Sequence, residues 1–257
     1  MARLRAAGCV FAEDEADILV AAASTPTELA AMVEQRCGGL PLEHVVGWAE
    51  FCGLRVVVNP GTFVPRQRTA LLVREAIALG NHAQVPIGQL VVLDLCCGSG
   101  AIAMALAAGL PGVELTAADI DPAEVTCART NLEPLGVQVW EGDLFEPLPA
   151  SLRGRVNILT ANVPYVPSAA IALLPTEARA YEPQVSLDGG TDGLAVLRRV
   201  AAGSSTWLAP GGHLLVETSQ QQAESARAIL LANALVPRMV RDDDLGATVI
   251  IGTKPVA

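Results

Sequence analysis

Apolar and polar positions change rhythm twice along the 257 residues. Up to about Leu42 they recur at helical spacing. A helix is predicted over 13–23, and Ser24-Thr25-Pro26 caps a second over 27–37 that Gly38-Gly39 stops. From His44 to Val58 the string VVGWAEFCGLRVVV gathers aromatic and β-branched residues around Gly53. That pattern predicts a hairpin, after which Asn59-Pro60-Gly61 turns the chain. Beyond Leu71, helical stretches alternate with short apolar runs. Helices are expected over 71–79, 101–110, 122–135, 194–204 and 220–233, and strands over 90–95, 114–119, 137–141, 156–161, 213–217 and 248–252. Such alternation predicts an α/β fold built on a parallel, doubly wound sheet. The chain thus divides into a small helical unit over 1–43, a hairpin connector over 44–60 and an α/β domain over 61–257, without internal repeats.

Composition narrows the class. With 51% apolar and 17% charged residues the chain has enough to bury a core, which excludes disorder and coiled coil. The uncharged run over 95–113 is no membrane span, because Cys-Cys-Gly-Ser-Gly opens it, Pro111-Gly112 closes it, and its helical part is too short. No membrane association is expected. Glu13, Asp14 and Glu15 interrupt any secretory signal near the N-terminus, so a cytoplasmic protein is expected. Six cysteines occur without a CxxC pair, so buried free thiols are expected and neither a metal site nor a disulfide framework. The net charge of −10 opposes strong nucleic-acid binding, which rests on clustered Lys and Arg.

The candidate chemistry sits at strand ends. In LVVLDLCCGSGAIAMAL a buried strand meets a turn and a helix, with Gly98, Gly100 and Ala103 spaced as GxGxxA, where backbone can approach a ligand at a helix N-terminus. A purely structural turn competes with that reading. The next strand ends at Asp119, placed to accept from ribose hydroxyls, while Asp121 before Pro122 is expected to cap the following helix. Asp143 ends a third strand, so Asp94, Asp119 and Asp143 are expected to converge on one crevice with no basic residue nearby. That setting disfavours a pyrophosphate and favours a cofactor with an amino group and a sulfonium, which points from NAD to S-adenosylmethionine.

The fourth strand ends in ANVPY. Asn162 offers a carboxamide oxygen, and Pro164 holds Val163 extended, which fixes its carbonyl. Two such acceptors can take both hydrogens of a planar NH₂ group while Tyr165 flanks the plane. The expected target is an amino or amide nitrogen. The competing reading of Asn-Val-Pro-Tyr is a plain strand-ending turn.

These segments together resemble the class I S-adenosylmethionine-dependent methyltransferases, and specifically the HemK/PrmC family of protein-(glutamine-N5) methyltransferases. Asn162-Val163-Pro164-Tyr165 is similar to the Asn-Pro-Pro-Tyr signature, which adenine methyltransferases share. FVPRQRT (Phe63 to Thr69) and YEPQVSLDGGTDGL (Tyr181 to Leu194) are similar to more family-specific segments, and GGHLLVE and the N-terminal helices complete the likeness. The resemblance implies a Rossmann-like sheet of seven strands with the last antiparallel. It implies S-adenosyl-L-methionine, leaving as S-adenosyl-L-homocysteine, among Phe63, Pro65, Arg66, Asp94, Cys96, Gly98, Gly100, Asp119, Ile120, Asp143, Leu144 and Asn162. It further implies glutamine held by Asn162 and the Val163 carbonyl, with Pro164 and Tyr165 completing the catalytic turn. The helical unit would grip a protein substrate, in that family the Gly-Gly-Gln loop of a peptide-chain release factor.

The chain departs from the family pattern at Val163 for the first proline of the signature, at Cys96 for the first loop glycine, and at Gln67, Arg68 and Ala70 after Pro65-Arg66. Trp48 and Phe51 read as core aromatics of the hairpin, Arg66 as a clamp on a substrate or cofactor carboxylate, and Glu182 and Glu217 as candidates for the pocket rim. The rival functions are an adenine amino-group methyltransferase on nucleic acid, a non-catalytic cofactor-binding paralogue and, resting only on GxGxxA and Asp119, a nicotinamide dehydrogenase.

Overall fold

A computed structural model describes residues 1–83, 85 and 89–256. The N-terminal unit contains helices α1 (Ala2–Ala6), α2 (Ala12–Ala22), α3 (Pro26–Cys37) and α4 (Leu42–Val46). At the start of α3 the Thr25 hydroxyl accepts from the Glu28 N–H at 3.1 Å and the Glu28 carboxylate accepts from the Ser24 N–H at 2.7 Å, a reciprocal cap close to the expected one. Leu4, Ala12, Leu19 and Met32 form a hydrophobic cluster of this unit's own. The hairpin follows as β1 (Trp48–Phe51) and β2 (Leu54–Val57), paired antiparallel. Phe51 is buried in the main core, while Trp48 is half-buried with the Arg55 guanidinium 4.2 Å over its ring.

The remaining chain runs α5 (Ala70–His82), β3 (Val91–Leu95), α6 (Ala101–Gly109), β4 (Glu114–Asp119), α7 (Pro122–Leu132), β5 (Gln138–Glu141) and β6 (Val156–Ala161). It continues with α8 (Thr176–Tyr181), α9 (Ala195–Trp207), β7 (Leu208–Glu217), α10 (Ala223–Ala232), β8 (Val236–Asp242) and β9 (Ala247–Thr253). The seven strands β3 to β9 lie in the order β5-β4-β3-β6-β7-β9-β8. The first five are parallel, and β9 runs antiparallel between β7 and β8. The all-parallel expectation is therefore corrected to a mixed sheet, and the seven strands with an antiparallel last one, implied by the resemblance, are present.

Each central strand is buried on both faces, the condition for a continuous apolar run. Val92, Leu115, Ile158 and Leu215 pack with Leu72 of α5 and Leu106 of α6 on one side; Leu93, Leu159, Leu214 and Ile250 pack with Leu197 of α9 and Leu230 of α10 on the other. Among the described residues no helix is long and apolar enough to cross a membrane, and no cluster of His, Cys, Asp and Glu could hold a metal ion. All six cysteines are free, but only Cys97 and Cys127 are buried and Cys52 is exposed, which corrects the expectation of buried thiols throughout.

Candidate active site

Strand order reverses between β3 and β6, and in open α/β sheets the crevice beyond the carboxyl ends at such a point is where ligands bind. A cavity of about 460 Å³ lies there, with Cys96, Gly98, Asp119, Asp143 and Asn162 in its wall. Phe63, Pro65, Arg66, Ile120, Leu144, Val163, Pro164 and Tyr165 also line it. Of the residues that the resemblance places around the cofactor and in the Asn-Val-Pro-Tyr turn, Asp94 and Gly100 do not.

The wall begins after β3. Gly98 has φ +54°, and a Cβ there would meet only Glu124 Oε2, at 3.8 Å, so the backbone stands open to a ligand. On Gly100 a Cβ would run into Leu132 Cδ1 at 2.8 Å, which assigns that glycine to the packing of α6 against α7. Cys96 also sits in the left-handed region, at φ +54°, a conformation costing a residue with a side chain about 1–2 kcal/mol. The thiol thus adopts the backbone conformation that the family's glycine would take freely.

The carboxylates divide by environment. Asp94 is fully buried; its Oδ1 accepts from the Thr160 hydroxyl at 2.7 Å and its Oδ2 has no partner. Burial pushes its pKa up to about 7, against the opposing Thr160 hydrogen bond. It underlies the turn and does not join Asp119 and Asp143 in the crevice, which corrects the expected three-way convergence. Asp119 accepts from the Gly98 N–H at 2.8 Å and the Asp121 N–H at 3.0 Å. Burial raises its pKa, opposed by those donors, and among the described residues it pairs with no cation. Asp121 caps α7 as expected, accepting from the Ala123 N–H at 2.8 Å. Asp143 is paired with Arg199 at 2.7 Å, and Arg66, Arg68 and Arg199 all line the cavity, so the expected absence of basic residues is overturned.

Beyond β6, Asn162 presents an Oδ1 that is buried and, among the described residues, without a partner, while its Nδ2 points to Thr69 Oγ1 at 3.5 Å. Tyr165 donates its hydroxyl proton to Glu217 Oε1 at 2.9 Å and accepts from Arg68 Nη2 at 2.6 Å. The segment over 181–194 packs behind this turn. Gly189 approaches so closely that a Cβ would lie 2.6 Å from the Pro164 carbonyl oxygen, and Gln222 Nε2 donates to the Tyr165 carbonyl at 2.9 Å. Arg66 Nη2 contacts both carboxylate oxygens of the buried Glu182 at 2.6 Å, with its guanidinium 4.8 Å over the Phe63 ring. The expected clamp is thus engaged within the protein.

Two participants, Thr69 and Glu124, were not singled out as site residues from sequence, and a third, Glu217, was placed only at the pocket rim. Thr69 and Glu217 are buried beside Asn162, Glu217 more deeply than a rim residue. Glu124, buried completely, accepts from the Phe63 N–H at 2.6 Å and fixes the FVPR segment to α7; burial pushes its pKa up to about 8. Of Thr69 and Glu124, Glu124 alone left a signal of its own, as an acid three residues after the cap Asp121.

Comparison with known proteins agrees with this geometry. Residues 92–183 match a family model described as a methyltransferase domain. Over 232 residues, 88% of this chain and 78% of the relative, the sequence is 37% identical to the release factor glutamine methyltransferase of Geobacter sulfurreducens. Over 243 residues, 93% of this chain and 85% of the relative, it is 35% identical to that of Xylella fastidiosa. The solved structure of a methyltransferase from Pyrococcus furiosus has a TM-score of 0.58, covering 80% of this chain and 91% of that one; at 15% identity this speaks for the fold alone. The sheet order, the turn after β6 and the near full-length similarity converge: the chain belongs to the family of release factor glutamine methyltransferases.

Proposed function

We propose that this protein transfers a methyl group from S-adenosylmethionine to the side-chain amide nitrogen of a glutamine in a peptide-chain release factor. The observation that carries the reading is the buried, partnerless Oδ1 of Asn162 at the cavity wall. A buried acceptor without a donor is costly, and a ligand N–H relieves it.

The residues present suit the cofactor. Gly98 leaves backbone open to the cavity, Asp119 offers a carboxylate without a counter-cation, and Ile120 and Leu144 add apolar walls. Asp119 and Asp143 would hold its hydroxyl and amino groups, with Phe63, Pro65 and Cys96 around it. Bound there, S-adenosylmethionine supplies a methyl group on a cationic sulfur and leaves as S-adenosylhomocysteine.

An amide nitrogen is a weak nucleophile because its lone pair is delocalised into the carbonyl. Asn162 Oδ1 takes one amide hydrogen and the Val163 carbonyl the other, which orients the nitrogen and stabilises positive charge developing on it. Tyr165 flanks the amide plane, and the surplus proton leaves after transfer, so no general base is needed.

The helical unit over 1–43 serves as the protein-recognition element, joined through the hairpin connector over 44–60 to the methyltransferase domain over 61–257. Two observations support that role: Pro41 borders the cavity, and Arg36 pairs with Glu177 of α8 at 2.6 Å. The protein works in the cytoplasm, where its substrate is found.

Asn162→Ala tests the mechanism. Removing one preorganised acceptor should lower kcat for release-factor methylation by about a hundredfold or more, while the cofactor Kd stays within about threefold. Undiminished turnover would remove Asn162 from the chemistry.

A further inference from the structure

The two ends of a carboxamide are nearly equal in size, so packing alone does not decide which end faces a ligand; the hydrogen-bond partners do. For Asn162 to accept an amide hydrogen, its oxygen must face the substrate and its nitrogen must be held away. We infer that Thr69 and Glu217 are positioning residues that enforce this orientation. The inference rests on the reading of Asn162 given above.

Thr69 Oγ1 lies 3.5 Å from Asn162 Nδ2, a long hydrogen bond, and 2.6 Å from Glu217 Oε2, a short one. A hydroxyl has one proton. Given to the carboxylate, it leaves only lone pairs facing Asn162, which accept from Nδ2 and repel Oδ1. Thr69 is 2% exposed and Glu217 3%, so water does not compete for these positions.

Glu217 anchors the direction of the whole chain of bonds because an ionised carboxylate can only accept. Its Oε1 takes the Arg68 Nε–H at 3.0 Å and the Tyr165 hydroxyl proton at 2.9 Å. Arg68 Nη2 also donates to the Tyr165 oxygen, so that hydroxyl is left to point its own proton at Glu217. Every proton in the network therefore runs towards Glu217. The sheet register brings the parts together: Ala161 pairs with Val216, which sets Asn162 beside Glu217 at the ends of adjacent strands, and Thr69 enters from the start of α5.

Glu217→Gln introduces a donor that can face Thr69. The hydroxyl proton is then free to turn towards Asn162, whose carboxamide reverses and presents its nitrogen to the substrate. Thr69→Val removes the discriminating oxygen, and Thr69→Ser keeps it.

The test compares the full-length native protein and these three variants in release-factor methylation, cofactor binding and thermal unfolding, and reads the Asn162 side-chain NH₂ by NMR. That signal is identified by its loss in Asn162→Asp. Thr69→Val and Glu217→Gln should lower kcat by about tenfold or more with the cofactor Kd unchanged, and Thr69→Ser should stay within about threefold of native. Slower hydrogen exchange of one Asn162 amide proton should survive in Thr69→Ser and be lost in Thr69→Val. Native kcat in Thr69→Val, or equal losses in the serine and valine variants, would overturn the inference. If the native protein methylates no release factor, the proposed function fails, and the exchange measurement decides the inference alone: equal exchange in native and Thr69→Val protein would refute it.

Discussion

At Asp94 and Glu124 two carboxyl groups are buried beneath the turn after β3, each with one oxygen lacking a hydrogen-bond partner among the described residues. Burial, the dominant cause, raises their pKa values to about 7 and about 8 from ordinary values of 3.8 and 4.5. The folded state therefore holds protons that the unfolded chain has released, and stability falls as pH rises towards the folded values. His44 and His213, whose pKa values burial lowers from 6.5, act in the opposite sense only below that pH. Between pH 6.5 and 8.5 the carboxyl effect dominates, with the thiols that burial raises from 9.0 adding to it in the same sense only towards the upper end, and the free protein should lose on the order of 2 kcal/mol in urea unfolding. Glu124→Gln, which keeps the acceptor for Phe63, should flatten much of this dependence; an unchanged slope would show that Glu124 is not the source. The sequence made some residues legible and not others. Asp119, Asp143 and Asn162 were readable because each follows an apolar strand that must stop at the sheet edge. Glu217, ending the apolar run HLLVE, was readable as a rim candidate by the same rule, but its bond to Thr69 was not, because 148 residues separate the two. Arg68, a departure from the family segment, is explained by its contacts with Glu217 and Tyr165.

At the scale of elements, the Asn-Val-Pro-Tyr turn takes its shape from the segment behind it. Gly193 has φ +74°, and a Cβ there would lie within 2.3 Å of the Tyr165 carbonyl oxygen and of Gln222 Nε2. Gly193→Ala should displace the Asn-Val-Pro-Tyr turn and cut kcat by tenfold or more, about the effect of a misplaced reacting group, while cofactor binding persists. Gly136→Ala is the control, since Gly136 has a similar φ of +73° and open space around it; it should cost stability and leave kcat intact. Equal kcat in the two variants would contradict this account. The central strands were legible because burial on both faces leaves only apolar residues. Strand β8 was not: at the sheet edge its residues are half-buried or exposed, and Pro237, Arg238 and Arg241 break the apolar run. Helix α8 spans six residues, too few for a periodic signal. The mixed sheet was readable only through the family likeness, because strand direction at the far edge leaves no mark on composition.

Across the whole molecule, a buried guanidinium beside the cavity ties the N-terminal helices to the α/β fold. Arg36 contacts Glu15 within its own unit at 2.6 and 3.0 Å and reaches Glu177 of α8 at 2.6 Å. This contact was not legible in the sequence, since 141 residues separate its partners. The free amide acceptor at the cavity wall suits the NH₂ group of a glutamine or of an adenine alike, and it is the net charge of −10 that favours a protein substrate over a nucleic acid. The most direct measurement incubates the native protein with methyl-labelled S-adenosylmethionine and its organism's release factors, then maps the label by mass spectrometry. One methyl group is expected on the side-chain nitrogen of the Gly-Gly-Gln glutamine. Release factors left unlabelled, with label on a nucleic acid or another protein, would contradict it.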